Sequence, residues 1–397
     1  MDDLFSLLNK NILISSLSNK KGSFVVDDTI GVALVVASNF KKNGGKYNVI
    51  ASNLYNAQKV YDLLSCFIGE ENCLFYPVDE MLRVESVASS KEMLAQRLYV
   101  MDELLKKDNY VLITHTASIL RFLPSPELFK EKVLHFKIDN TYNIEDIKKV
   151  LIDNGYIRVN KIDQSMQFAI RGDIIDIFSV NNNNPIRMEF FDDTLESIRF
   201  FDIATQRSIS KIDEISILPS IDIILSKDEI DDFEDKINTR LSFDVTNIDC
   251  NLVSSLKDIV NNDIEHIKNN HITENLYKYY GFIQNSHYSI LDYSTNSINI
   301  VCNKEALITT TDILNKEVSD YFMDQYDKGF MMGSLSMYQS LNKVLSSHKT
   351  IYCSSFASSE NDIVFNARSI VGGSNTIAGA LTLIESYLDS SKHIILC

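Results

Sequence analysis

The sequence is poor in basic charge. Against 54 Asp and Glu stand 38 Lys and Arg, a formal net charge of −16 over 397 residues. Holding nucleic acid by phosphate neutralisation needs clustered cations. The balance therefore argues against that role for the chain as a whole and leaves room only for a local basic patch. Paired cysteines are lacking too. Cys66, Cys73, Cys250, Cys302, Cys353 and Cys397 are scattered, with no CxxC spacing, so neither a zinc site nor a dithiol redox pair is indicated. Several sit in apolar runs, read as small buried hydrophobes and point to a reducing compartment. Long apolar runs are missing as well. IGVALVVA at 30–37 falls far short of the ~20 residues of a membrane span. The opening MDDLFSLLNKN lacks the basic start of a secretion signal. The expectation is a soluble, cytoplasmic protein with no membrane partner.

Catalytic signatures are equally scarce. No GxxxxGK[ST] phosphate loop occurs. Gly44-Gly45-Lys46 runs into Tyr47, and Lys20-Lys21-Gly22-Ser23 lacks the earlier glycine. Without the glycines that let backbone N–H groups close on phosphates and a lysine to reach the terminal ones, this second stretch reads as a degenerate nucleotide loop, not expected to bind. GxSxG and HExxH are absent, and His266 and His271 are five apart, wrong for an i, i+4 metal pair. His115, near a strand end, reads as a satisfied or surface histidine before a catalytic one. Asp192-Asp193 follows RMEFF and reads as a hairpin turn before a metal site. No catalytic residue, metal or cofactor is expected in this segment.

What is present is a globular chain. Hydrophobic residues make up 45%, and the length suggests roughly two to four domains. Strands and amphipathic helices alternate up to about residue 122, as in YNVIASN (47–53) and KEMLAQRLYVMDELLKK (91–107), implying a parallel sheet covered on its faces. Between 123 and 220 the pattern becomes a helix at 143–156 with Gly155 as its cap, then strands at 158–163, 167–178, 186–191, 196–202 and 214–218. That is an α+β unit of antiparallel hairpins. Residues 221–345 read as mainly helical, and 346–397 as the start of a further α/β domain, truncated at Cys397.

QFAIRGDIIDIF at 167–178 sets a charged pair around a glycine inside an apolar strand. An adhesion tripeptide is a poor reading for a cytoplasmic chain. Strand parity offers another. Phe168 and Ile170 take the core side, Gln167, Ala169 and Arg171 the outer side, with a bend at Gly172. In PIRMEFFDD (185–193), Met188 and Phe190 face the core, and Arg187, Glu189 and Phe191 face outward. Joined by the turn SVNNNNP (179–185), the two strands should pair antiparallel and bring Arg171, Arg187 and Phe191 onto one surface. Arginine beside an exposed aromatic is the composition of a protein–protein hot spot. The other reading, open from the residues alone, pairs both arginines with Glu189, Asp173 or Asp176 on a solvated sheet.

The blocks MQFAIRGDIIDIFSV, NPIRMEFFDDTLESIRFFDIATQRSI and ISILPS, with LFYPVDEMLRVESVASSKEMLAQRL and RFLPSPELF upstream, resemble the N-terminal, UvrB-like module of the bacterial transcription-repair coupling factors. They are less closely similar to the excinuclease component UvrB itself. The missing phosphate loop and the lack of a Tyr-rich insertion before ASSKEML favour the coupling factors. The resemblance implies a degenerate helicase-like parallel sheet domain (1–122), an inserted UvrA-binding α+β antiparallel-hairpin domain (123–220) and a part completing the UvrB-like module (221–345). Its implied function is recruitment of UvrA to lesion-stalled RNA polymerase in transcription-coupled nucleotide excision repair, with Arg171, Arg187 and Phe191 as the UvrA-binding residues. The parent is expected to be an ATP-dependent DNA translocase. Its RNA polymerase and DNA contacts, ATP and Mg would belong to parts absent here, and in the family the docking face is masked by the C-terminal domain until the motor engages. The alternative reading is a UvrB-type ATP-dependent DNA-repair enzyme.

Overall fold

Short apolar strands alternating with helices assemble a seven-stranded sheet in which every pairing is parallel. The structure is a computed structural model. It describes residues 23–26, 29–79, 91–269, 274–283, 288–333, 335–354 and 363–365, with a few single positions besides. The strands in chain order are β1 (Ser23–Val26), β2 (Lys46–Ala51), β3 (Cys73–Phe75), β4 (Tyr110–His115), β5 (Leu134–Lys137), β6 (Ile157–Arg158), β7 (Gln167–Arg171) and β8 (Ile174–Phe178). There follow β9 (Ile186–Phe191), β10 (Thr194–Phe201), β11 (Ser208–Ile212), β12 (Glu214–Ile217), β13 (Ile298–Val301), β14 (Thr350–Ser354) and β15 (Ile363–Phe365). The parallel sheet runs β15-β1-β14-β13-β2-β4-β3.

Both faces of this sheet are covered, as parallel sheets require. Val49, Val111, Ile113, Ile300 and Ile351 pack with the apolar sides of helices Thr29–Asn43 and Leu54–Ile68. Ile50, Leu112 and Val301, one residue out of phase, pack with Leu94, Leu98 and Met101 of helix Lys91–Lys106. The run IGVALVVA is thus a buried helix face, with Val32, Ala33, Val35, Val36 and Ala37 all sealed. No helix among the described residues is long and apolar enough to cross a membrane.

The expectation of a further domain opening at 346 meets a different arrangement. β14 fills the place between β1 and β13, so it belongs to the same hydrogen-bonded sheet. A central strand is held on two edges, and an apolar strand such as TIYCS gains more there than at the start of a separate layer.

Residues 134–217 build a part that is antiparallel in every pairing but β6 with β7, which is parallel, and it differs from what alternation predicts in three further ways. First, 167–178 is not one bent strand but a hairpin. β7 and β8 pair antiparallel, with Arg171 opposite Ile174. Gly172 at φ 59 occupies the first turn position, where a two-residue turn of the primed type wants glycine. Second, the expected strand 158–163 shrinks to β6. Third, β11, which the apolar pattern does not announce, adds an edge to the sheet, whose order is β11-β10-β9-β8-β7-β6. β12 pairs instead with β5 in a two-stranded sheet. Phe168, Ile175, Ile177, Ile186, Met188, Leu195 and Ile198 form the core beneath, against Ile147 and Leu151 of helix Ile144–Asp153.

That helix is capped at both ends. Asn143 accepts from the N–H groups of Glu145 and Asp146, and Gly155 follows the last turn at φ 85, the left-handed residue that ends many helices. Farther along, helices Lys227–Val245, Val253–Lys268 and Lys304–Asp327 share a core of Phe233, Ile237, Leu256, Val260, Val318 and Phe322.

Candidate protein-docking face

The outer face of the six-stranded sheet is a checkerboard of charge. One cross-strand row runs Ala169, Asp176, Arg187, Arg199; the next runs Arg171, Ile174, Glu189, Ser197. Phe191 stands two residues farther along β9, beside Thr194. Arg171, Arg187 and Phe191 therefore share one face, as strand parity predicts. From the strand spacing and rise they form a triangle with sides of about 12–14 Å. Gln167 and Ala169 share their side of β7 but are buried. Gln167 turns inward to accept from the N–H groups of Asp163 and Gln164 at 3.0 and 3.4 Å, so the loop before β7 covers that end.

The three residues differ sharply in their setting. Phe191 is 68% exposed, a bare ring at the lip of a hairpin. The turn behind it is Asp192-Asp193, with Asp192 at φ 50. This is the hairpin expected, and among the described residues no cluster of His, Cys, Asp or Glu is built to hold a metal ion. Arg171 is exposed, and its Nε donates to the Asn160 carbonyl at 3.3 Å. Arg187 is held fast. Its Nε donates to Asp176 Oδ1 at 2.7 Å and its Nη2 to Asp176 Oδ2 at 2.8 Å. Nη2 also donates to Gln206 Oε1 at 3.2 Å, and the guanidinium lies 4.6 Å from the centre of the Phe201 ring. The hydrogen bond to Asp176 raises the Arg187 pKa, and partial burial opposes that shift. Alongside, Arg199 pairs with Glu189, which also accepts from Ser197 Oγ at 2.8 Å. Of the three carboxylates offered by the sequence, Arg187 pairs with Asp176, and Arg171 forms no ion pair with any of them among the described residues.

Sequence reasoning assigned no role to Gln206. Its block, TQRS, is plain in the sequence, but nothing local signals that a left-handed residue (φ 59) turns its amide toward Arg187. Thr205 and Asp202 shape that turn, the Asp202 carboxylate accepting from Thr205 N and Oγ1, both at 2.7 Å. The Thr205 bonds hold the Asp202 carboxyl below its ordinary value.

The nucleotide-loop residues lie elsewhere. Lys20, Lys21 and Gly22 fall outside the described residues, and Ser23 opens β1. A phosphate loop joins the carboxyl end of a strand to a helix N-terminus. Here β1 ends at Val26 and the next helix starts at Thr29, and Asp27 and Asp28 lie outside the described residues. His115 is buried, and its Nε2 accepts from Val78 N at 3.2 Å.

Residues 134–222 match the model of the UvrB interaction domain. The chain is 27% identical over 303 residues to the transcription-repair-coupling factor of Bacillus subtilis, covering 76% of this chain and 26% of that protein. It is 25% identical over 365 residues to that of Staphylococcus haemolyticus, covering 90% and 30%, and 24% identical over 326 residues to one from Staphylococcus aureus, covering 81% and 28%. These matches support the resemblance to the UvrB-like module of the coupling factors. The chain spans less than a third of the length of these relatives. All of β5 to β12 lies inside the matched UvrB interaction domain, and with it the whole checkerboard face.

Proposed function

We propose that this chain is the non-catalytic, UvrA-docking module of a transcription-repair coupling factor, and that docking runs through Arg171, Arg187 and Phe191. One observation carries the reading: an open guanidinium, a braced guanidinium and a 68% exposed phenyl ring share one face of the matched domain. An exposed aromatic with arginines around it is what interface hot spots are made of. In the cell the module would bring UvrA to a polymerase stalled at a lesion, and the parent's translocase, with its ATP and Mg, would act through other parts. Contacts with RNA polymerase and DNA belong to the parent in this reading, and the setting is the cytoplasm.

A pull-down with UvrA tests it. The Arg171→Ala, Phe191→Ala double variant should lose UvrA while melting like the unmutated chain. Retention of full binding by that variant sinks the assignment. The UvrB-type enzyme is not favoured, because the relatives above are coupling factors and the sequence holds no GxxxxGK[ST] phosphate loop.

A further inference from the structure

The two arginines of the face are not chemically equivalent. A guanidinium offers N–H groups on Nε, Nη1 and Nη2. On Arg187, Nε and Nη2 are committed to Asp176, and Nη2 also to Gln206. What is left toward a partner is Nη1. Its charge is matched by a carboxylate only 4% exposed, on the neighbouring strand in direct register. On Arg171 the long contact from Nε ends on a backbone carbonyl. Both Nη groups remain, which is the full fork that takes a carboxylate through two parallel bonds. Among the described residues no acidic side chain forms an ion pair with it.

Resting on the docking reading above, we infer that Arg171 receives a carboxylate of the partner, that Arg187 receives an uncharged oxygen, and that Asp176 is a positioning residue which fixes the Arg187 fork and cancels its charge. The partner surface matching this face has one acidic side chain facing β7, one carbonyl or amide oxygen facing β9, and an apolar recess for Phe191. A second carboxylate at Arg187 would face Asp176 across the same guanidinium and be repelled. That makes Asp176 a specificity determinant against doubly acidic surfaces.

The consequence is a split in salt dependence, because a compensated cation contributes little to long-range attraction and an uncompensated one contributes fully. Affinity of the 397-residue chain for purified UvrA is measured across a salt series, with each variant first shown folded by circular dichroism melting. Arg171→Gln should weaken binding about tenfold or more and flatten the salt dependence. Arg187→Gln should weaken it comparably and also flatten the slope, because Asp176 is then left without its cation. Asp176→Asn, nearly isosteric, should weaken binding and steepen the slope, because Arg187 then carries an uncompensated charge. A merely structural Asp176 would not move the slope. Should Asp176→Asn fail to fold, Arg187→Lys serves in its place: it keeps the charge and loses the fork, and should bind as weakly as Arg187→Gln with the unmutated slope. Wild-type affinity and slope for Asp176→Asn, or wild-type affinity for Arg187→Lys, overturns this inference and leaves docking intact. An unmutated chain that does not bind UvrA overturns the docking reading, and this inference with it.

Discussion

Arg97 and Asp222 meet 125 positions apart in the chain, Nε and Nη2 of the arginine both on Oδ2 of the aspartate at 3.1 and 3.0 Å. Arg121 Nη2 reaches the same carboxylate at 3.1 Å, its guanidinium stacked 3.9 Å from the Tyr277 ring centre. Asp222 ends the stretch that matches the UvrB interaction domain, while Arg97 sits on helix Lys91–Lys106 of the parallel-sheet part. The pair therefore ties the exit of one unit to the flank of another. A buried carboxylate between two guanidiniums is costly to remove, because two charges are left without their partner.

Asp222→Ala should accordingly lower the unfolding free energy by roughly 3–5 kcal/mol, read by urea denaturation. Arg171→Ala, on the exposed face, should fall within about 0.5 kcal/mol of the unmutated chain. Equal stabilities for the Asp222 variant and its parent contradict the tie.

The same carboxyl gives a pH dependence. Burial pushes the Asp222 pKa up, but Arg121 and Arg97 outweigh it and hold the group below its ordinary 3.8. With the folded pKa depressed, its stabilisation is complete above the unfolded carboxyl's value and is lost as pH falls through the folded one. Melting temperature should drop below about pH 4, and Asp222→Asn should show a shallower fall over that window. Parallel acid profiles for the two proteins count against the tie.

Two glycines separate strain from collision. Both have left-handed backbones, but a Cβ on Gly172 meets nothing within 4 Å, whereas one on Gly155 lies 2.4 Å from Ile221 Cγ2 and 2.9 Å from Ser220 Oγ. Gly172→Ala should cost about 1–2 kcal/mol of strain alone, and Gly155→Ala clearly more. Chemical denaturation of the two side by side checks the order.

Phe191→Ala should leave stability nearly untouched, since the ring is already in water, yet reduce UvrA affinity by about 2 kcal/mol or more as a central hot-spot loss. Met188→Ala, on the opposite face of the same strand and fully buried, should do the reverse, costing ~2–5 kcal/mol of stability. Calorimetric titration and thermal melts of both variants expose any breakdown of this inside–outside division.

Nucleotide binding should be absent. With no GxxxxGK[ST] loop in the sequence, a titration with a fluorescent ATP analogue is expected to be flat. Saturable binding in the micromolar range brings the UvrB-type reading back.

Alternation along the chain was enough to put Met188 and Phe190 inside and Arg187, Glu189 and Phe191 outside, because strand side chains switch faces at every residue whatever the neighbours are. Local patterns of the same kind found β2, helix Lys91–Lys106 and the cap at Gly155, and missed β1 and β15. They did not reveal that Gly172 turns the chain back rather than bending it, because a bend and a two-residue turn make the same local demand for a positive φ. Nor could they choose among Asp173, Asp176 and Glu189 as the partner of Arg187. That choice belongs to cross-strand register, which sets Asp176 opposite Arg187 and hands Glu189 to Arg199. The place of β14 between β1 and β13, and the meeting of Arg97 with Asp222, are likewise tertiary. Each joins segments far apart in sequence, where no local preference acts and only packing of the whole chain selects the partner.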